Sequence, residues 1–160
     1  MQYQATLHFS EALMKKAVRA FWWRLTGWKY IITLPLLSIG LFFLDQQSWY
    51  FNIVAIVVYL RFILPIMVYI SHYCNGMKKF KAVKDHQVIM TAEEETFTLQ
   101  SALGHSTLKW SAIQKVWQYP EFWLIFYSKA QFNTLPIRDI SPDMQQFIQQ
   151  QIVAVGGKIK

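Results

Sequence analysis

WYFNIVAIVVYLRFILPIMVYI, residues 49–70, is the stretch on which the reading of this chain turns. It holds one formal charge, Arg61, and one proline, Pro65. A helix rises about 1.5 Å per residue, so about 20 predominantly apolar residues cross the hydrocarbon core of a bilayer. This stretch meets that length outright. Just upstream, Tyr30–Leu44 (YIITLPLLSIGLFFL) is apolar as well, and Leu25 and Trp28 extend it toward the N-terminus. It reaches spanning length once Lys29 carries its ammonium outward along its apolar stem. Asp45-Gln46-Gln47-Ser48 lie between the two, enough polar chain to turn an antiparallel pair. The pattern predicts a transmembrane hairpin in residues 30–73, with spans at about 28–44 and 49–70. Trp49 and Tyr50 at one end, and Trp22, Trp23, Trp28 and Tyr30 at the other, fit aromatic belts at the two interfaces.

Charge sets the orientation. Lys15, Lys16, Arg19, Arg24 and Lys29 precede the first span, and Lys78, Lys79, Lys81 and Lys84 follow the second. The connecting loop has no lysine or arginine. By the positive-inside rule both termini lie in the cytoplasm, and these nine side chains face the anionic membrane surface. The net charge of +7 is concentrated in this half, since residues 1–84 balance to +8 and residues 85–160 to −1. A slightly acidic remainder disfavours nucleic acid as a partner. Charged residues make up only 16% of the chain, against about 25% in ordinary globular proteins. The rival reading, two buried helices of a soluble bundle, needs a polar coat that these segments do not supply. The N-terminus lacks the basic and apolar pattern of a signal peptide and reads as mature sequence. Cys74 stands alone and reads as a small apolar side chain near a helix end.

Arg61 sits about 18 Å from the Trp49 end and about 14 Å from the Ile70 end, counted along a helix. A charge at that depth is costly and marks a functional position by default. Neither span holds a carboxylate to pair with it. Two readings stand: the guanidinium snorkels to cytoplasmic headgroups, or it pairs with an acid on a partner's transmembrane helix or a second copy of this chain. Pro65 lacks an N–H, so the Arg61 carbonyl loses its helical donor and the helix is free to kink.

The flanking segments have a different grammar. Residues 1–29 hold a period-two strand from Tyr3 to Phe9, an N-cap at Ser10, and a helix over 11–28 with Lys15, Lys16 and Arg19 on one side. That helix either lies on anionic lipid or runs straight into the first span. Residues 85–160 read as short strands at His86–Thr91, Phe97–Ser101, Thr107–Trp110, Val116–Tyr119, Phe122–Tyr127 and Phe132–Ile137. FWLIFY at 122–127 is apolar on both faces and is expected at the centre of a sheet. Pro136 confines the last strand to an edge or an end. Ser141, Pro142 and Asp143 open a helix whose apolar stripe is Met144, Phe147, Ile148, Ile152 and Val155, and Gly156-Gly157 end it. Six strands and a helix are one strand short of a pleckstrin-homology-like half-open barrel. Tyr3–Phe9 is the candidate for the seventh, since an unpaired strand edge is normally covered.

TLKWSAIQKVWQYPEFWLIFYSKAQFNTLPIRDIS, followed by the amphipathic helix, resembles the C-terminal domain of the YcxB-like family of bacterial membrane proteins. Trp110, Ile113, Val116, the strand at 122–127 and Leu135-Pro136 carry the likeness, and the two-span hairpin is similar to that family too. The resemblance implies an inner-membrane location and an α+β architecture: a two-helix hairpin plus a small antiparallel sheet closed by a C-terminal helix. It brings no catalytic residues, and Trp110, Ile113 and Pro136 are expected to be packing and turn residues.

The chemistry-bearing patterns are missing from the sequence. His8, His72, His86 and His105 show no metal-ligand spacing, no glycine-rich phosphate loop or nucleophile elbow occurs, and Glu93-Glu94-Glu95 reads as a solvated turn. No cofactor is expected. The expectation is a non-enzymatic membrane protein whose cytoplasmic sheet binds another membrane protein or lipid headgroups. The alternative is a small subunit of a transporter, channel or other membrane complex, formed with another membrane protein or by self-association, that uses Arg61 in the second span; an enzyme acting on lipid is the third class.

Overall fold

The structure, a computed structural model, describes residues 2–83, 86–129 and 131–160, and of Lys29 and Lys79 the backbone alone. The fold is α+β. In chain order it comprises β1 (Tyr3–His8), α1 (Glu11–Leu41), α2 (Trp49–Ala82), β2 (Gln87–Ala92), β3 (Thr96–Ser101), β4 (Gly104–Lys109), β5 (Lys115–Gln118), β6 (Phe122–Phe126), β7 (Phe132–Pro136), α3 (Pro142–Ala154) and β8 (Lys158–Ile159). Two compact units emerge, one of Met1–Ala17 with Met77–Lys160 and one of Val18–Gly76.

The first unit is built on two four-stranded sheets, ordered β1-β2-β3-β4 and β7-β6-β5-β8. The N-terminal strand takes the place expected of it. Tyr3 pairs with Ala92 and His8 with Gln87, antiparallel throughout, and the Phe9 amide donates to the His86 carbonyl at 2.9 Å. Alternation explains the register: Leu7 is buried on one face while Gln4, Thr6 and His8 stay exposed on the other. β6 is buried at all five positions and lies inside its sheet, as its two-faced apolarity predicts. β7 is an edge, and Pro136 is its last residue, where a missing N–H costs no ladder bond.

One core joins the sheets to α3. Leu7 and Met90 from the first sheet, Val116 and Ile125 from the second, and Met144, Ile148 and Ile152 from α3 are almost wholly excluded from solvent. The Tyr3 ring of β1 packs at a tilt against Phe147 of α3, 5.1 Å between ring centroids, and the His8 amide donates to the Asp139 carboxylate at 2.5 Å. Ser141 caps α3 by accepting from the Met144 amide at 3.3 Å. Ser10 caps α1 in the same way through the Leu13 amide at 3.1 Å.

Several boundaries differ from expectation for local reasons. β4 begins at Gly104, whose φ of 137° suits a tight two-residue turn, and Trp110 opens a 3₁₀ turn instead of ending the strand. Val155 caps α3 and is exposed, so the buried stripe ends at Ile152. β8 is an addition: the Gly157 amide donates to the Ile152 carbonyl at 2.8 Å, and a Cβ there would meet the Ile152 side chain at 2.6 Å. That close approach turns the last residues back alongside β5, in parallel.

In the second unit α1 is broken at Gly27 (φ 68°, ψ 172°), a backbone conformation that only glycine adopts without strain. The apolar helix beyond it, Tyr30–Leu41, is shorter than the expected first span, because the chain leaves the helix for turns at 42–44. α2 continues well past Ile70 to Ala82 and is long and apolar enough to cross a membrane.

The β1–β2 register is testable by disulfide trapping. Phe9 and His86 form a hydrogen-bonded pair, so Gln4 and Thr91 face each other across a non-hydrogen-bonded site, where Cα atoms lie about 4.5 Å apart and disulfides form readily. In a Cys74→Ser background, Gln4→Cys with Thr91→Cys should oxidise efficiently, whereas Gln4→Cys with Gln87→Cys should not. Leu7→Ala should destabilise the unit by about 2–5 kcal/mol, read by denaturant melting.

Candidate functional site

Tyrosines aside, Tyr30–Leu41 and residues 49–70 hold few polar side chains, Thr33, Ser38, Asn52 and Arg61, and two of them, Thr33 and Arg61, meet. Pro65 has no N–H, which leaves the Arg61 carbonyl one turn earlier without its helical donor. Tyr30 of α1 supplies one. Its hydroxyl donates to the Arg61 carbonyl at 2.6 Å and lies 3.2 Å from that of Phe62. The carbonyl of Pro65 itself accepts from the Trp22 indole at 2.7 Å. A carbonyl freed by a proline is stabilised by such a partner, since backbone acceptors are normally paired.

The Arg61 side chain turns to the same neighbour. Its guanidinium donates to the Thr33 hydroxyl at 2.9 Å and lies 5.4 Å from the centroid of the Tyr30 ring, within cation–π range. Thr33 in turn donates to the Tyr30 carbonyl at 3.4 Å. Arg61 therefore finds first partners inside its own chain, an arrangement that neither sequence reading anticipated. A guanidinium carries five N–H donors in a planar fork, and Thr33 takes one.

Beside this cluster lies an open, groove-like cavity of about 590 Å³. Trp22, Leu25, Thr26 and Tyr30 form the α1 wall, and the break at Gly27 falls inside that stretch. Val57, Leu60, Arg61, Leu64, Pro65 and Val68 form the α2 wall. The volume is in the range of small-molecule sites, which are mostly apolar with a few fixed polar groups. Arg61 is the one charged side chain lining it.

Of the basic residues expected at the membrane surface, two of those described have acidic partners. Lys15 pairs with Glu11 at 2.7 Å, one helical turn away. Lys16 binds both oxygens of Glu121, at 2.8 and 2.9 Å, tying the start of α1 to the β5–β6 turn. That hydrogen bond, with the Lys16 charge, holds the Glu121 carboxyl below the usual carboxylate range. Arg19, Arg24, Lys78 and Lys81 are exposed. Lys84 and the side chains of Lys29 and Lys79 lie outside the described residues.

Trp110, Ile113 and Pro136 are all buried. Trp110 is a strut: its indole donates to the Glu93 carbonyl at 2.8 Å and its amide to that of Glu95 at 3.2 Å, bracing the exposed Glu93–Glu95 turn. Burial pushes the Tyr127 hydroxyl up to about 12, which keeps it neutral. Among the described residues, no group of three or more histidines, cysteines or acids is placed to hold a metal ion.

Residues 92–152 match the model of the YcxB-like protein family. No curated protein and no solved structure matches the chain.

Two outcomes follow from the geometry. Tyr30→Phe should cost about 1 kcal/mol of stability in the full protein, measured by unfolding in mixed micelles. Pro65→Ala returns an N–H to the Arg61 carbonyl, so in that background the same change should cost less than half as much; equal costs would mean that the tyrosine does not serve this carbonyl. For Glu121, a carboxyl depressed in the folded state adds stability above the unfolded carboxylate range and loses it as pH falls. Lys16→Ala should therefore weaken the protein at neutral pH, with the difference from wild type fading as pH drops below about 4 and as salt is added.

Proposed function

We propose that this chain, a YcxB-like family member through residues 92–152, is a two-span membrane protein with both termini in the cytoplasm, whose sheet unit is a non-enzymatic interaction module for another membrane protein or for lipid headgroups. The observation that carries this reading is the β1–β2 ladder. The chain leaves one strand at His8, makes the whole α1–α2 excursion, and returns into the adjacent strand at Gln87. A hairpin inserted between paired strands has both ends tied to one domain, which suits a module that reports on, or acts upon, what the hairpin meets.

The exposed surface of the second unit supports the membrane part. Phe42, Phe43, Trp49, Trp28 and Tyr59 are each at least 65% exposed, and Ile53, Ile56, Val57, Leu64 and Met67 of α2 are exposed as well. A soluble protein rarely leaves so large an apolar surface uncovered, whereas hydrocarbon is its natural solvent. Phe42 and Phe43 extend the first span beyond Leu41, and the Lys/Arg distribution orients the pair. Seven strands closed by α3 suit the pleckstrin-homology-like reading of the module.

A second reading rests on Arg61 and its cavity: the hairpin as the small subunit of a larger membrane complex. The two separate by experiment. Cytoplasm-dependent fluorescent fusions at either terminus should both light up, and a dark C-terminal fusion beside an active periplasmic reporter would overturn the topology. Partners captured from detergent-solubilised membranes should survive Arg61→Leu if the sheet unit recruits them, and should be lost if Arg61 does. Arg61→Leu should insert at least as well as wild type, since a central arginine costs about 2.5–3.5 kcal/mol on insertion scales.

A further inference from the structure

The cavity beside Arg61 combines three properties. Its walls are apolar, its volume suits a small ligand, and a single cation lines it with most of its hydrogen-bonding fork uncommitted to Thr33. No carboxylate stands within Val18–Gly76 apart from Asp45, which is sixteen positions from Arg61, about 24 Å along a helix. A second copy of this chain in the same orientation would bring arginine against arginine, so self-pairing does not answer the charge.

A partner's transmembrane helix would need close backbone approach, which small residues allow. These walls present Trp22, Leu25, Tyr30, Leu60 and Leu64 instead. We propose that the cavity is a binding site for a single-chain anionic amphiphile, of the fatty-acid class, with its carboxylate on the Arg61 guanidinium and its chain along the leucine and valine walls. The inference rests on the two-span reading, because such a ligand enters from the bilayer. The carboxylate accepts two parallel N–H bonds from a guanidinium, a geometry that a lysine does not reproduce. Trp22 and Tyr30 have already spent their donors on the Pro65 and Arg61 carbonyls, so Arg61 is the one charged group that selects the head group, with the Thr26 hydroxyl as the other polar group on the wall.

The test uses the full chain in micelles with 9,10-dibromostearate as probe, because bromine quenches tryptophan at short range and Trp22 lines the cavity. Saturable quenching is expected, displaced by oleate, not by acetate, and only about tenfold more weakly by oleyl alcohol, which has a similar chain and a neutral head. Trp22→Phe should remove the saturable part. Arg61→Gln should weaken oleate by about tenfold or more while leaving oleyl alcohol unchanged, and Arg61→Lys should recover only part of the loss. Oleyl alcohol binding as tightly as oleate, or Arg61→Gln binding oleate like wild type, overturns the proposal. So does a stoichiometric membrane protein that is lost with Arg61→Gln while no oleate binds, since the site then belongs to a helix. Topology fusions test the two-span reading separately, and quenching in micelles is read whichever way they come out.

Discussion

The antiparallel ladder between β1 and β2 is the constraint on which the rest of the molecule depends. Each residue from Tyr3 to His8 finds its partner more than 78 positions along the chain, across both long helices. Without β1, the first sheet would lose Leu7 from its core and expose the edge of β2. The strand also reaches the other layers, through Tyr3 to Phe147 of α3 and through the His8 amide to Asp139 beyond β7. A six-residue strand thus links first sheet, second sheet and closing helix.

A second, smaller dependency runs through Tyr30. One side chain completes the hydrogen bonding of a proline-interrupted ladder, offers its ring to the guanidinium of the same residue whose carbonyl is opened, and forms part of a cavity wall. Proline, arginine and tyrosine make one unit, in which backbone satisfaction and charge placement are coupled. Changes there are expected to be non-additive, as is usual where residues share partners.

Much of the first unit could be read directly from residue patterns. Period-two alternation located β1, the two-faced apolarity of Phe122–Phe126 put it inside a sheet, and Ser141-Pro142-Asp143 marked the start of α3. What escaped was tertiary in origin. β8 is two residues long and exists because Gly157 lies against Ile152. The length of α2 past Ile70 has no terminating signal in HYCNGMKKFK strong enough to stop a helix already under way. At the site, Pro65 announced an unsatisfied carbonyl, but nothing local names a donor thirty-one residues distant. Thr33 was silent for the same reason, being an ordinary residue until Arg61 reaches it.

The β1–β2 pairing also bears on how the molecule comes into being. Synthesis is vectorial, so β1 emerges first and its partner only after the whole excursion has been made, roughly 4–15 s later at about 5–20 residues per second. During that interval the strand has an open edge and no sheet to join. For a chain whose excursion inserts into a bilayer, the wait ends when the second helix brings Gln87 back to the face it left. In the proposed two-span arrangement sheet closure would record that insertion has finished, and a chain with a misplaced helix would be left with β1 unpaired, an exposed strand edge.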